Sequence, residues 1–271
     1  MKQFLRRIEL TIGGKLIKNY GDNALNCGFE VSFSAKTSEP DLSKVTIYNL
    51  SEDTINNIKK NDIVLINAGY EGDIGNILNG TVQKTETEWQ NVDKITTIFV
   101  TDGGKNWKNS TTNKTYQNGT KASYIIRDLA NIMGYEVGEI APVQDITYQL
   151  GKSVSGPTRN SLQTIVKDTK SKLFIDGNKL YVRAINKSTP NGYLVNSDTG
   201  MIGSPEKVEE EKDKKVTVKY KVKCLLNYHI RKDNLIRVES RTINGNFRVE
   251  SGTHTGSDEG DFITEMVLLP A

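Results

Sequence analysis

Few residues in this chain could do chemistry. Two histidines, His229 and His254, and two cysteines, Cys27 and Cys224, supply all the imidazoles and thiols of its 271 residues. His254 stands in the stretch SGTHTGSDEGDFITEMVLLP, residues 251–270, among small side chains, three glycines and the acids Asp258, Glu259 and Asp261. A calcium loop needs oxygen ligands at positions one, three and five, glycine at six and a bidentate glutamate at twelve. With Gly260 at six, Thr255, Ser257 and Glu259 take the ligand positions, but Met266 stands where the glutamate must be. With Gly256 at six, Ser251, Thr253 and Thr255 bring no charge. Zinc asks for three or four Cys, His or carboxylate ligands. Cys224 and His229 are five apart in what reads as a strand, so they point to opposite faces. No catalytic, cofactor-binding or metal-ligating residue is assigned.

The stretch is read instead as a connection before a last strand, DFITEMVLLP. Phe262, Ile263, Met266, Val267, Leu268 and Leu269 make that strand apolar on both faces, as for a strand buried between its own core and another subunit. Pro270 is expected to end it. Thr253 to Ser257 are then expected to order against a neighbouring protein and to tolerate replacement by Gly/Ser with the fold intact.

Other near-motifs fail for physical reasons. GKSVSG places Ser153 after Gly151 and Lys152, but a nucleophile elbow needs glycine where Ser155 stands. NGTKAS echoes the end of a phosphate loop, yet the earlier glycine is missing before Gly119, and cradling phosphate depends on that backbone. The acid pairs Asp258/Asp261 and Glu86/Glu88 define no cleft.

Hydrophobic residues make up 36% of the chain and charged residues 25%, with a net charge of +3. That balance gives no bulk electrostatic case for binding nucleic acid. Two distant cysteines outside any CxxC pair imply buried small hydrophobes and not a disulfide scaffold. The start, MKQFLRRIEL, is no signal-peptide core, and no stretch is long enough to cross a bilayer. A protein made and kept soluble in the cytoplasm is expected, so the sequons at Asn109, Asn113, Asn118 and Asn186 are read as composition and not glycan sites.

The elements that must position these residues follow from periodicity. RIELTI, GFEVSFSA, KVTIYNL and NDIVLINAGY alternate as half-buried strands, and residues 80–88 and 93–101 add two more. LSEDTINNIKKN is a helix with Ser51 as N-cap and Ile55 and Ile58 on one face. Many short strands with one small helix suggest a barrel or sandwich. From GGKNW the period becomes helical: GTKASYIIRDLANIMG has Thr120 as cap and Gly134 as stop. A second helix carries Leu162, Ile165 and Val166, and a hairpin turns at Asp176, Gly177 and Asn178. SDTGMIGSPEK and the charge run EEEKDKK read as a linker or solvated face. VTVKYKVKCLL then sets Val216, Val218, Tyr220, Val222 and Cys224 against Thr217, Lys219, Lys221 and Lys223. The lysine row is either a wet face or a surface lining a channel or meeting an acidic partner. The fold class is α+β, mainly β: domains at 1–103 (β with one helix), 104–192 (α+β) and 193–271 (β).

Residues 44–82, KVTIYNLSEDTINNIKKNDIVLINAGYEGDIGNILNGTV, run strand, helix, strand and an AGYxG turn. With KITTIFVTDGGKNWKNS, GTKASYIIRDLANIMG, TGMIGSPEK and the closing GTHTGSDEGDF, they make the chain resemble the baseplate or tail hub proteins of phages and of phage-derived contractile bacteriocins. The resemblance implies two tail-tube-like β domains, barrel or sandwich, flanking the α+β module. It implies a homotrimeric ring between a six-fold tail tube protein and a trimeric central spike protein, in contact with other baseplate proteins. The place implied is the baseplate of a virion tail or tail-like particle, assembled in the bacterial cytoplasm. It carries no catalytic residues and no cofactor. The chain is shorter than many relatives, so lytic activity is expected in a separate protein. The competing readings are a tail-associated cell-wall hydrolase and a host-surface carbohydrate-binding module. Against the latter, Trp89 and Trp107 stand isolated, whereas sugar-binding surfaces cluster their aromatics.

Overall fold

The computed structural model describes residues 5–35, 39–102, 106–212 and 215–271. The chain opens with Arg6–Ile12 (β1), Lys15–Lys18 (β2), Cys27–Ser34 (β3), Leu42–Tyr48 (β4), Glu52–Asn57 (α1), Ile63–Tyr70 (β5), Asp73–Gln90 (β6) and Asp93–Asp102 (β7). A middle segment follows with Asn106–Asn109 (α2), Thr111–Tyr116 (β8), Thr120–Lys121 (β9), Ala122–Ile132 (α3), Glu136–Ile140 (β10), Thr147–Tyr148 (β11), Lys152–Pro157 (β12), Thr158–Asp168 (α4), Lys172–Asp176 (β13) and Lys179–Arg183 (β14). The last segment contains Thr189–Val195 (β15), Met201–Lys212 (β16), Lys215–Leu225 (β17), Asn234–Glu239 (β18), Asn244–Ser257 (β19) and Phe262–Pro270 (β20). The chain divides into two compact units, one of residues 1–34, 41–100 and 188–271, and a second of residues 35–40 and 101–187.

The first unit is a sheet in the order β16-β17-β20-β19-β3-β4-β7-β6-β5-β1-β2, with β18 also on β19 and β15 parallel to β18. Alternation explains the strands. In β3, Cys27, Phe29, Val31 and Phe33 are buried while their neighbours are half-exposed, and β1 does the same with Ile8, Leu10 and Ile12. Ser51 caps α1 as predicted, its side chain accepting from the Thr54 N–H at 3.3 Å. Two buried clusters form. One is built by β1 to β7 and admits Leu226 and Phe262 from the last segment. The other is built by β15 to β20 and admits Phe33. Antiparallel pairing of β19 with β3, from Ser251↔Ser34 to Ser257↔Gly28, joins the two strand sets.

The structure corrects three expectations. The sheets are open; among the described residues no closed barrel forms. Residues 201–212 are not a linker but an edge strand paired with β17 from Met201↔Cys224 to Lys212↔Lys215. Its alternation is hidden by a register shift between Ile202 and Glu206, where Gly203 has a positive φ of 71° and Pro205 lies buried. Asp213 and Lys214 of the charge run lie outside the described residues. Residues 253–257 are not a loop: they pair with β20 on one side and β3 on the other. The connection is shorter, Asp258 to Asp261.

The second unit packs α3 and α4 over small sheets around Ile125, Ile126, Leu129, Leu162 and Ile165. Gly134 (φ 76°) ends α3, with the Gly134 N–H donating to Asn131 and the Tyr135 N–H to Ala130, the paired bonds that close a helix C-terminus. The same two bonds close α4 around Lys170, a non-glycine at φ 56°. The N-cap position of α3 is Lys121, without a side-chain cap bond, and not the expected Thr120. Asp145 satisfies the Ser123 N–H instead, at 2.9 Å.

Candidate interaction surfaces

His254 is central in β19 and 2% exposed. Its Nδ1 lies 2.8 Å from the Thr264 hydroxyl on β20, and its ring is 4.8 Å from that of Phe33. Burial, with the Arg231 charge nearby, pushes its pKa down to about 3, against a backbone hydrogen bond at Ile230 that favours the proton. A neutral imidazole sealed between strands is a core group and offers no general base to solvent.

The glycines of SGTHTGS serve packing. An added Cβ at Gly252 would lie 2.4 Å from the Phe33 ring and 2.4 Å from the Glu265 carbonyl oxygen. At Gly256 it would lie 2.4 Å from the Phe29 ring. These glycines are cross-strand partners of the same phenylalanines, so each ring lies flat over bare backbone.

The oxygens of the following turn do converge, on a side chain. Arg6 Nη1 donates to the carbonyls of Ser257 (3.0 Å), Asp258 (3.2 Å) and Gly260 (2.6 Å). The Asp258 carboxylate accepts from Asn19 Nδ2 at 2.6 Å and the Cys27 N–H at 3.3 Å. A guanidinium thus holds the turn where the sequence invited a search for a cation. Among the described residues no group of three or more His, Cys, Asp or Glu is placed to hold a metal. Cys224 is buried in β17, while His229 lies beyond that strand beside Tyr193 and Tyr228. Burial pushes both thiols up to about 12, Cys27 with help from the Asp258 charge, so neither is a ready nucleophile.

The lysine row of β17 is three different residues. Lys219 is buried and bridges Glu210 and Glu250, the latter at 2.6 Å. Lys223 pairs with Glu265 across the β17–β20 ladder at 3.2 Å. Lys221 is exposed, with no ion-pair partner among the described residues. The face floors a concavity of about 760 Å³ that also presents Glu206, Asp41, Ser32, Ser251 and Thr253. Acids from neighbouring strands neutralise the row, so it is not a basic surface.

Two features remain exposed. The far end of the β6–β7 hairpin, Glu86 to Val92, is exposed throughout, with Trp89 at 68% and Val92 at 85%. In the second unit, Lys114, Tyr116, Lys121, Tyr124 and Arg127 line a groove of about 650 Å³. Tyr124 is 60% exposed there and meets the Tyr116 ring edge-on at 6.4 Å.

This is an arrangement of packed strands, neutralised charges and exposed arms, with no assembled chemistry. The family model described as baseplate hub gp41 matches residues 5–252. The chain belongs to that baseplate hub family. No curated protein gives a significant match. Among solved structures, the 43 kDa tail protein of prophage MuSo2 from Shewanella oneidensis superposes with a TM-score of 0.70 at 12% identity, over 98% of each chain. The tail protein of Neisseria meningitidis MC58 gives 0.67 at 9%, over 98% of this chain and 97% of that one. An Escherichia coli component of the type VI secretion system, described as structurally similar to the T4 bacteriophage tail proteins gp27 and gp5, gives 0.61 at 8%, over 97% and 76%. At such identities the shared property is the fold.

For this hub-family chain, reasoning from sequence placed the strands that build the surfaces but missed what occupies them. It did not find the Arg6 clamp, whose partners are some 250 residues away. Nor did it single out Trp89 as an arm residue, although the acid-rich stretch TETEWQNVD with no lysine was a visible signal.

Proposed function

We propose that the chain is a ring-forming structural hub: a homotrimer seated between a six-fold tail tube and a trimeric spike, each copy presenting two tube-like β sandwiches. The observation that carries this is the double core of the strand unit. One cluster belongs to the first strand set and one to the last, and each borrows aromatic or aliphatic residues across the β3–β19 seam. Two such halves per chain give three copies six similar faces, which is how a three-fold body meets a six-fold one. Closed symmetry buries matching patches without leaving an open filament. The fold shared with phage tail proteins and with a type VI component supports the reading. In this reading the domains run 1–103, 104–192 and 193–271, the chain carries no hydrolytic activity, and assembly takes place in the bacterial cytoplasm.

Native mass spectrometry at micromolar concentration, with and without tube and spike proteins, tests the ring. A trimer under at least one of these conditions is expected, and monomer or dimer under all of them refutes it. Zymography on peptidoglycan is expected to show no clearing. Clearing that is lost in Asp258→Asn or His254→Ala would establish a hydrolase in its place.

A further inference from the structure

We infer that the β6–β7 hairpin tip of one copy seats in the Lys121/Tyr124/Arg127 groove of the next, closing the ring head to tail. This rests on the trimeric reading above and names the contact that makes it.

The tip is built to be covered. Residues 85–93, TETEWQNVD, contain Glu86, Glu88 and Asp93 and no lysine or arginine. Period-two alternation puts Glu86 and Glu88 on one face of β6 and Trp89 on the other. Glu88 meets only Gln90 Nε2, at 3.2 Å. Trp89 has Lys94 at 6.0 Å from its ring and is otherwise open. An exposed tryptophan beside an exposed valine at the end of an arm is the composition of an interface anchor.

The groove has the complementary composition. Residues 114–127 contain Lys114, Lys121 and Arg127 and no acid. Lys114 is already bound to Asp128 at 2.7 Å, which also accepts the Tyr116 hydroxyl at 2.6 Å. Lys121 has no ion-pair partner among the described residues, and Arg127 reaches only the Ile140 carbonyl, at 3.5 Å. Two uncommitted cations flank the open face of Tyr124. An aromatic residue with a carboxylate one position away satisfies both: the indole stacks on Tyr124 between the cations, and Glu88 meets Lys121 or Arg127. The tip and the groove are different surfaces, so the contact is heterologous and propagates until rotation closes it, at three copies here.

The test is charge reversal with rescue, read by native mass spectrometry and by the concentration dependence of association. Both substitutions are at exposed sites, and thermal melts check that each variant keeps the wild-type fold. Glu88→Lys and Trp89→Ala are each expected to weaken association about tenfold, and Glu88→Lys with Lys121→Glu to recover to within about threefold of wild type. Mixed chains carrying Trp89→Cys and Tyr124→Cys should be joined by a short bis-maleimide into dimers holding one of each, since the native thiols are buried. If the wild type forms trimers and Glu88→Lys and Trp89→Ala form them as tightly, with no mixed cross-link, this contact is wrong and the ring stands. If the tip cross-links to a tube or spike protein instead, the contact is likewise wrong. A wild type that is monomeric with and without partners overturns the ring and the contact together.

Discussion

Replacing Gly256 with alanine should destabilise the strand unit, because the new Cβ would lie 2.4 and 2.6 Å from two Phe29 ring carbons and 3.0 Å from the Phe262 ring. Carbon atoms sit comfortably at about 3.5–4.0 Å, so the Phe29 ring would have to retreat by roughly 1 Å. It has little room. Phe29 is 4% exposed and meets Phe262 edge-on at 6.3 Å, and Phe262 meets Tyr70 at 5.3 Å. Overpacking costs about 1–3 kcal/mol, and three rings in series put this case in the upper half, about 2–3 kcal/mol. Each kcal/mol lowers the Tm of a unit this size by about 2–4 °C, so the melt should fall by about 4–12 °C. Gly252→Ala should cost at least as much, because one clashing atom is the Glu265 carbonyl oxygen, which cannot swing aside. Circular dichroism melts and urea titrations read both. In a Phe29→Leu background the cost of Gly256→Ala should shrink, as expected for residues in direct contact. If Gly256→Ala stays within about 0.5 kcal/mol of wild type, the packing argument fails, since a flexible connection would tolerate or even gain from losing a glycine.

His254, with its pKa pushed down to about 3 in the fold, should make stability depend on pH: the unfolded chain takes up a proton near pH 6.5 that the folded one refuses. That contribution is fully present above about pH 6.5 and is lost as pH falls towards about 3, so melts from pH 8 to 4.5 should be flatter for His254→Gln, and parallel curves would refute it. Lys170→Gly should stabilise the second unit by up to about 1 kcal/mol in a thermal melt, since a left-handed non-glycine costs about 1–2 kcal/mol and glycine's chain entropy returns part of that; a loss of stability would refute it. Lys219→Met should cost about 1–3 kcal/mol by stranding Glu250, while Lys221→Met should fall within about 0.5 kcal/mol of wild type; equal effects in urea titrations would mean the row is one uniform face.

Where burial alternates along an uninterrupted segment, the sequence is legible. Phe29, Val31 and Phe33 mark β3, Ser51 marks the start of α1, and Gly134 marks the end of α3, because each signal is local and fixed by backbone geometry. β16 was hidden because a bulge at Gly203 to Pro205 breaks its period and its acids resemble a solvated tether. The glycines of SGTHTGS misled for a different reason. Their meaning depends on Phe29 and Phe33 more than 200 residues away, and without those rings glycine signals a turn. The same distance concealed the Arg6 clamp and the acids that neutralise Lys219 and Lys223. Of the candidate surfaces, their sequences were visible but their exposure was not, since exposure is decided by which strands happen to lie alongside.

The pairing of β3 with β19 has a consequence in time. Ser34 and Ser251 are cross-strand neighbours more than 200 residues apart in the chain. During synthesis β3 leaves the ribosome with one long side unpaired, and its proper neighbour is among the last segments made. At about 5–20 residues per second that interval is on the order of 10–40 s. The middle unit has only its own residues to wait for and can finish within it, spanning the gap as a folded tether that shortens the search between the strand sets. Non-local pairing of this kind is slow, and here it acts as a clock: a copy cannot present both halves of its sheet, and so cannot join an assembly, until its final strands are in place.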